Sequence, residues 1–169
     1  MKTKNRSPRP YLNDPELVFD RYYNLSLRYI SYRPRSEKEV YDYLLTKQKR
    51  AKNLDEKIIA QIMKRLTEYK FIDDNEFARF WIEHRKKGFR ILKFELTQKG
   101  IRKEIIEEVA SNFDLESKEN ALIEKLLEKK SRSLKDEAPQ KAREKLIAYL
   151  LRRGFEYDEV KKAIARKNK

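Results

Sequence analysis

Apolar residues recur along this chain three and four positions apart, in stripes separated by short polar stretches, and no segment alternates with a sustained period of two. Positions i, i+3 and i+4 share one face of a helix, so the pattern predicts helices and no sheet. The stripes also repeat. Val40 and Leu44 recur 52 positions later as Leu92 and Leu96, and a further 54 positions on as Leu146 and Leu150. A single apolar residue closes each pair, at Leu54, Ile101 and Phe155, and a second stripe follows it. Those second stripes are Ile58, Ile59, Ile62, Met63 and Leu66; Ile105, Ile106 and Val109; and Val160, Ala163 and Ile164. Another helical stretch precedes each pair, from Leu17 to about Tyr32, from Asn75 to about Lys87 and from Lys118 to about Lys130. The expected plan is three helices repeated three times: a basic arm over 1–15, then units over 16–71, 72–114 and 115–169.

Local signals mark the helix ends. Ser36 and Glu39 have capping-box spacing, and Pro34 just upstream discourages continuation of the helix before it. Asp73 and Glu76 offer an equivalent start in the middle unit. Lys99-Gly100-Ile101 and Arg153-Gly154-Phe155 place glycine where a helix ends in a left-handed residue. The first unit has Gln48 there and about five extra residues before Leu54, so a longer, basic loop is expected, carrying Lys47, Lys49, Arg50 and Lys52. Units this small bury little core each, so neighbours should stack into an elongated, all-α array.

Composition agrees with that plan and narrows the function. Three glycines and five prolines in 169 residues leave little room for the tight turns of a sandwich or barrel. The longest apolar run, Leu146 to Leu151, is far too short to span a membrane. A basic start without an apolar stretch does not read as a secretory signal, and with no cysteine the expectation is a cytoplasmic protein without disulfides or thiolate metal sites. The net charge of +14 divides as +3, +5, 0 and +6 over the arm and the three units. A surplus spread in this way suits an extended polyanion or an acidic protein groove better than a compact anion; general solubility is the plainer alternative.

Residues able to carry catalysis are scarce. His84 lies among Arg85, Lys86 and Lys87 without a cysteine partner and reads as a solvated side chain. Asp73 and Asp74 are explained by capping and by the helix dipole. The isolated glycines build no phosphate loop. Neither enzymatic activity, metal nor cofactor is expected. Six of the ten tyrosines fall between Tyr22 and Tyr43 of the first unit, where Tyr22 and Tyr29 share a face with Leu25; core packing explains them better than base stacking, and Phe77, Phe80 and Trp81 read the same way.

The stronger signal is in basic turns. Arg33 and Arg35 flank Pro34, and Arg85, Lys86, Lys87 and Arg90 occupy the corresponding turn 52 positions later. With Lys47, Arg50 and Lys52 of the long loop, and Lys99, Arg152 and Arg153 at the other two turns, they form the expected contact set. Exposed turns tolerate Lys and Arg in any case, so plain solvation is the competing explanation.

Three segments carry a family resemblance. Arg33-Pro34-Arg35-Ser36-Glu37-Lys38-Glu39-Val40 resembles the RPRSE-type start of the second helix in the RecX family of regulators of the RecA recombinase. Phe71-Ile72-Asp73-Asp74-Asn75-Glu76-Phe77-Ala78 is similar to that family's L-[IL]-D-D-x-x-[FY]-A stretch, and a third match runs from Arg85 through Gly88 to Glu95-Leu96-Thr97-Gln98-Lys99-Gly100-Ile101. The resemblance covers about residues 20–167. Two positions depart from it: Phe89 stands where many members have Pro, and Gln48 stands where Gly is expected. It implies an elongated, curved array of three three-helix units. It also implies a non-enzymatic monomer that binds the RecA–DNA filament, contacts DNA directly or through RecA, and lowers ATP hydrolysis, filament growth and strand exchange. The residues alone leave two other readings open: an autonomous DNA-binding protein of tandem helix-turn-helix-like units, and an adaptor for another acidic protein.

Overall fold

The computed structural model describes residues 14–51 and 53–167. Most of the basic arm predicted over 1–15, and Lys52, lie outside the described residues. Every element among the described residues is helical: α1 (Pro15–Ser31), α2 (Glu37–Gln48), α3 (Glu56–Glu68), α4 (Asp74–His84), α5 (Phe89–Gln98), α6 (Lys103–Ser111), α7 (Leu115–Arg132), α8 (Pro139–Leu151) and α9 (Tyr157–Lys167). The order is three successive three-helix repeats. The chain divides into two compact units, Met1–Phe77 and Ala78–Lys169, the division falling inside α4.

In the first unit α1 packs on α2 and α3. Its core joins Val18 and Tyr22 of α1, Val40 and Leu44 of α2, Leu54 of the loop, and Ile58, Ile59, Ile62 and Leu66 of α3. The predicted stripes are therefore the buried faces. Both arms of the capping box form, with the Glu39 amide donating to Ser36 Oγ at 3.2 Å and the Ser36 amide donating to Glu39 Oε2 at 3.3 Å. Asp73 accepts from the amides of Asn75 (2.8 Å) and Glu76 (3.2 Å) and so caps its own helix. Asp74 reaches elsewhere: its Oδ1 accepts from the Glu37 amide at 2.9 Å, in the first turn of α2, where amides lack an intrahelical acceptor. Consecutive carboxylates thus serve two helix starts.

The second unit holds the other two repeats. Leu92, Leu96 and Ile101 are buried, as are Leu146, Leu150 and Phe155, matching Val40, Leu44 and Leu54 position for position. The third repeat has its own core, in which Ile123, Leu126 and Leu127 of α7 meet Leu146 and Leu150 of α8 and Val160, Ala163 and Ile164 of α9. Gly100 (φ 83°) and Gly154 (φ 86°) take the left-handed position after α5 and α8. The next amide then turns back to the helix, Ile101 donating to the Leu96 carbonyl at 3.1 Å and Phe155 to that of Leu150 at 3.4 Å. The loop between α2 and α3, residues 49–55, is longer than 99–102 or 152–156, as expected.

Three expectations need correction. The stretch before α5 does not stay helical to Lys87: α4 stops at His84, and the Gly88 amide donates to the Arg153 carbonyl at 2.8 Å instead of continuing the ladder. Helix α7 is longer than the stripe from Lys118 to Lys130, because Asp114 caps it at the Ser117 amide (3.1 Å) and starts it at Leu115. Phe80 is only half-buried, stacked on the exposed His84 ring at 4.4 Å, while Phe77 and Trp81 are buried as predicted.

Candidate interaction surface

The basic residues singled out from the sequence fall into two physical groups. One group is held against its own repeat. Arg33 makes a two-pronged pair with Glu39 (2.7 and 3.2 Å) and donates to the Pro34 carbonyl at 2.9 Å. The bond to Glu39 raises its already high pKa against the opposing effect of burial. Arg35 lies 3.9 Å over the Tyr29 ring and 3.8 Å from Glu39, with little of its side chain exposed. Tyr29 stacks on Tyr43 at 4.3 Å, and Lys47 lies 4.8 Å over Tyr43. Two cations and two rings therefore form one ladder in which ring faces are taken up internally, which removes Tyr29 and Tyr43 as a base-stacking platform.

The middle repeat repeats the device around Trp81. Arg85 sits 3.9 Å and Lys99 5.0 Å from its ring centroid, its indole N–H donates to Glu95 Oε2 at 2.9 Å, and Lys87 pairs with Glu95 Oε1. In the third repeat Arg153 lies 4.8 Å over Tyr149. Lys47, Lys99 and Arg153 are related by the repeat offsets of 52 and 54, and each is placed on an aromatic ring of its own repeat. Sequence reading found these cations but missed the rings that hold them; the signal was the four-residue spacing of Tyr43 to Lys47 and Tyr149 to Arg153.

Arg50, Lys86, Arg90 and Arg152 form the second group and are exposed. Arg90 makes only a solvent-facing pair with Glu156 at 3.5 Å. The turn that carries Lys86 is held in place by the third repeat. Besides the Gly88 amide on the Arg153 carbonyl, the Arg153 guanidinium donates to the Lys86 carbonyl at 3.1 Å, and the Phe89 amide donates to Glu119 Oε1. Burial raises the pKa of the Glu119 carboxyl, only partly offset by the Phe89 amide, and Glu156 and Glu159 push it further up.

Beside that turn lies a groove of about 400 Å³, lined by Lys86, by Tyr149 and Arg153, and by one face of α7. The face consists of Leu122, Lys125, Leu126, Glu128, Lys129 and Arg132. Of the predicted contact set, the structure brings Lys86 and Arg153 together here, and it adds Lys125, Lys129 and Arg132, which no motif had marked. No group of His, Asp or Glu among the described residues is arranged to hold a metal ion, and no described helix is long and apolar enough to cross a membrane.

The chain matches three models of one family in order: "RecX, first three-helix domain" over residues 23–66, the second over 73–109 and the third over 118–164. It is 36% identical over 143 residues to a Clostridium tetani protein named regulatory protein RecX, covering 82% of this chain and 63% of the relative. With its Oceanobacillus iheyensis namesake it shares 35% identity over 138 residues, covering 79% and 48%. The chain spans about half the length of the curated relatives it matches. The crystal structure of RecX from Lactobacillus salivarius is similar in fold, with a TM-score of 0.69 and 26% identity, covering 89% of this chain and 97% of that one.

Proposed function

The chain belongs to the RecX family of regulatory proteins, and from that premise we propose that it binds the RecA–DNA filament and lowers RecA's ATP hydrolysis, filament growth and strand exchange, with no chemistry of its own. The observation that carries this reading is the ordered match of all three repeats to RecX domains. The charge distribution supports it. Exposed cations recur at or beside the inter-helix turns, at Arg50 in the first unit and at Lys86, Arg90 and Arg152 in the second, a distribution that suits an extended polyanionic or acidic partner.

The test is RecA ATPase and strand exchange on single-stranded DNA with the protein added at stoichiometric amounts over a range of salt. Loss of both activities is expected, and no effect at any salt overturns the proposal. Binding to bare DNA is measured alongside. Preference for RecA-coated over bare DNA at one salt concentration is expected, whereas equal affinity with a steep salt slope would favour an autonomous DNA binder.

A further inference from the structure

The groove of the third repeat combines two properties that a simple phosphate-binding surface does not need. Its rim is cationic: Lys86, Lys125, Lys129, Arg132 and Arg153 surround it, and the one carboxylate, Glu128, is already paired with Arg132. Lys125 and Lys129 are exposed and pair with no carboxylate among the described residues. Its floor is apolar, formed by Leu122 and Leu126 of α7 with the side of Tyr149. We propose that this groove docks an acidic segment of a protein partner that inserts an apolar anchor side chain between the cations.

Two observations favour a peptide over a nucleic-acid strand. A strand held in a cationic groove gains most when its bases stack on open aromatic faces. Here the single ring, Tyr149, carries the Arg153 guanidinium at 4.8 Å and has Lys130 at 5.8 Å. The remainder of the floor is aliphatic, which suits a Leu, Met or Phe side chain and offers a base no partner. A volume of about 400 Å³ accepts one or two such side chains. The four cations left over beyond the Arg132–Glu128 pair then select acidic flanks and speed the encounter. The site is also rigidly framed, because the Arg153 guanidinium is tied to the Lys86 carbonyl and the Gly88 amide to the Arg153 carbonyl, which hold the two turns together. The inference goes beyond the filament reading and does not depend on it, since it concerns the chemistry of the ligand and not the identity of its owner.

The experiment is fluorescence anisotropy with the full chain and three probes of equal negative charge. These are an Asp/Glu peptide carrying Leu and Phe one helical turn apart, the same peptide with both anchors replaced by Ser, and an oligothymidylate. The anchored peptide is expected to bind at least about tenfold more tightly than the other two, a margin typical of a buried anchor. The double variant Lys125→Glu, Lys129→Glu should lose that advantage, while Lys161→Glu, an exposed cation on α9, should keep it. Equal affinity for anchored and anchorless peptides, tighter binding of the oligonucleotide, or no peptide binding tighter than about 1 mM each overturns the proposal. The probe comparison uses the unaltered protein, so its outcome is independent of how well a variant folds.

Discussion

Gly88 and Gly154 lie backbone against backbone: a Cβ on Gly88 would stand 2.3 Å from the Gly154 carbonyl oxygen, and the Gly88 amide already donates to the Arg153 carbonyl at 2.8 Å. Both glycines are needed, for different reasons. Gly88 has φ −65°, open to any residue, so only the lack of space demands glycine. Gly154 has φ 86°, and a Cβ there would also meet Ile91 Cγ1 at 2.6 Å. Gly88→Ala should therefore cost about 1–3 kcal/mol through overpacking. Gly154→Ala should cost more, adding about 1–2 kcal/mol of left-handed strain. Gly100→Ala, at an exposed turn with φ 83°, should show about the strain alone. Urea midpoints measure all three; a Gly88→Ala midpoint equal to the parent's would disprove the close approach.

Phe89 departs from the proline that many RecX proteins carry, and the structure supplies a reason. Its amide donates to Glu119, a bond proline cannot make. Phe89→Pro, ordinarily favourable at the first position of a helix, should here destabilise by about 1–3 kcal/mol by leaving a half-buried carboxylate without its donor. Because the folded pKa of Glu119 is raised, its protonated form is favoured by folding, so this group's contribution to stability declines as pH rises through that folded value. Glu119→Gln keeps an acceptor for Phe89 and should raise stability at neutral pH relative to the parent. A destabilised Glu119→Gln variant by thermal melting would contradict this account.

Trp81, the one tryptophan of the sequence, reports on Glu95 directly. Burial pushes the Glu95 carboxyl up, but the Lys87 ammonium and the indole N–H, helped by Arg85, outweigh it and hold the group below the ordinary glutamate value. A depressed folded pKa makes this carboxylate stabilising above the unfolded value, and the contribution is lost as pH falls through the folded value. Acid titration of tryptophan fluorescence should show a step with its midpoint below the ordinary glutamate value, absent in Glu95→Gln. A midpoint at or above that value would refute the pairing.

Charge reversal separates function from fabric. Lys86→Glu and Arg152→Glu alter exposed cations without disturbing an intramolecular side-chain pair, so together they should weaken filament binding by about tenfold with unchanged helical circular dichroism. Lys87→Glu instead sets a carboxylate against Glu95 and should lower stability by about 1 kcal/mol. Filament binding unaffected by the double reversal would remove those turns from the contact surface.

Much of this protein was readable from residue order. Helical periodicity, the offsets of 52 and 54, the Ser36 capping box and the glycines after α5 and α8 are local or repeat-wise signals, and each is governed by interactions spanning only a few residues. Those signals determined the all-helical repeats and which face of each helix is buried. Only the tertiary structure could decide what the exposed cations are set beside, because that depends on contacts between residues distant in sequence. Nothing near Lys86 signals that its carbonyl meets Arg153, 67 residues later, or that this contact sets it beside Lys125 and Lys129. Nothing near Phe89 reveals Glu119, 30 residues away. A charged turn is legible wherever it occurs, but its use as an interaction surface or as an internal tie is settled by whether packing brings a ring or a carboxylate within reach of it.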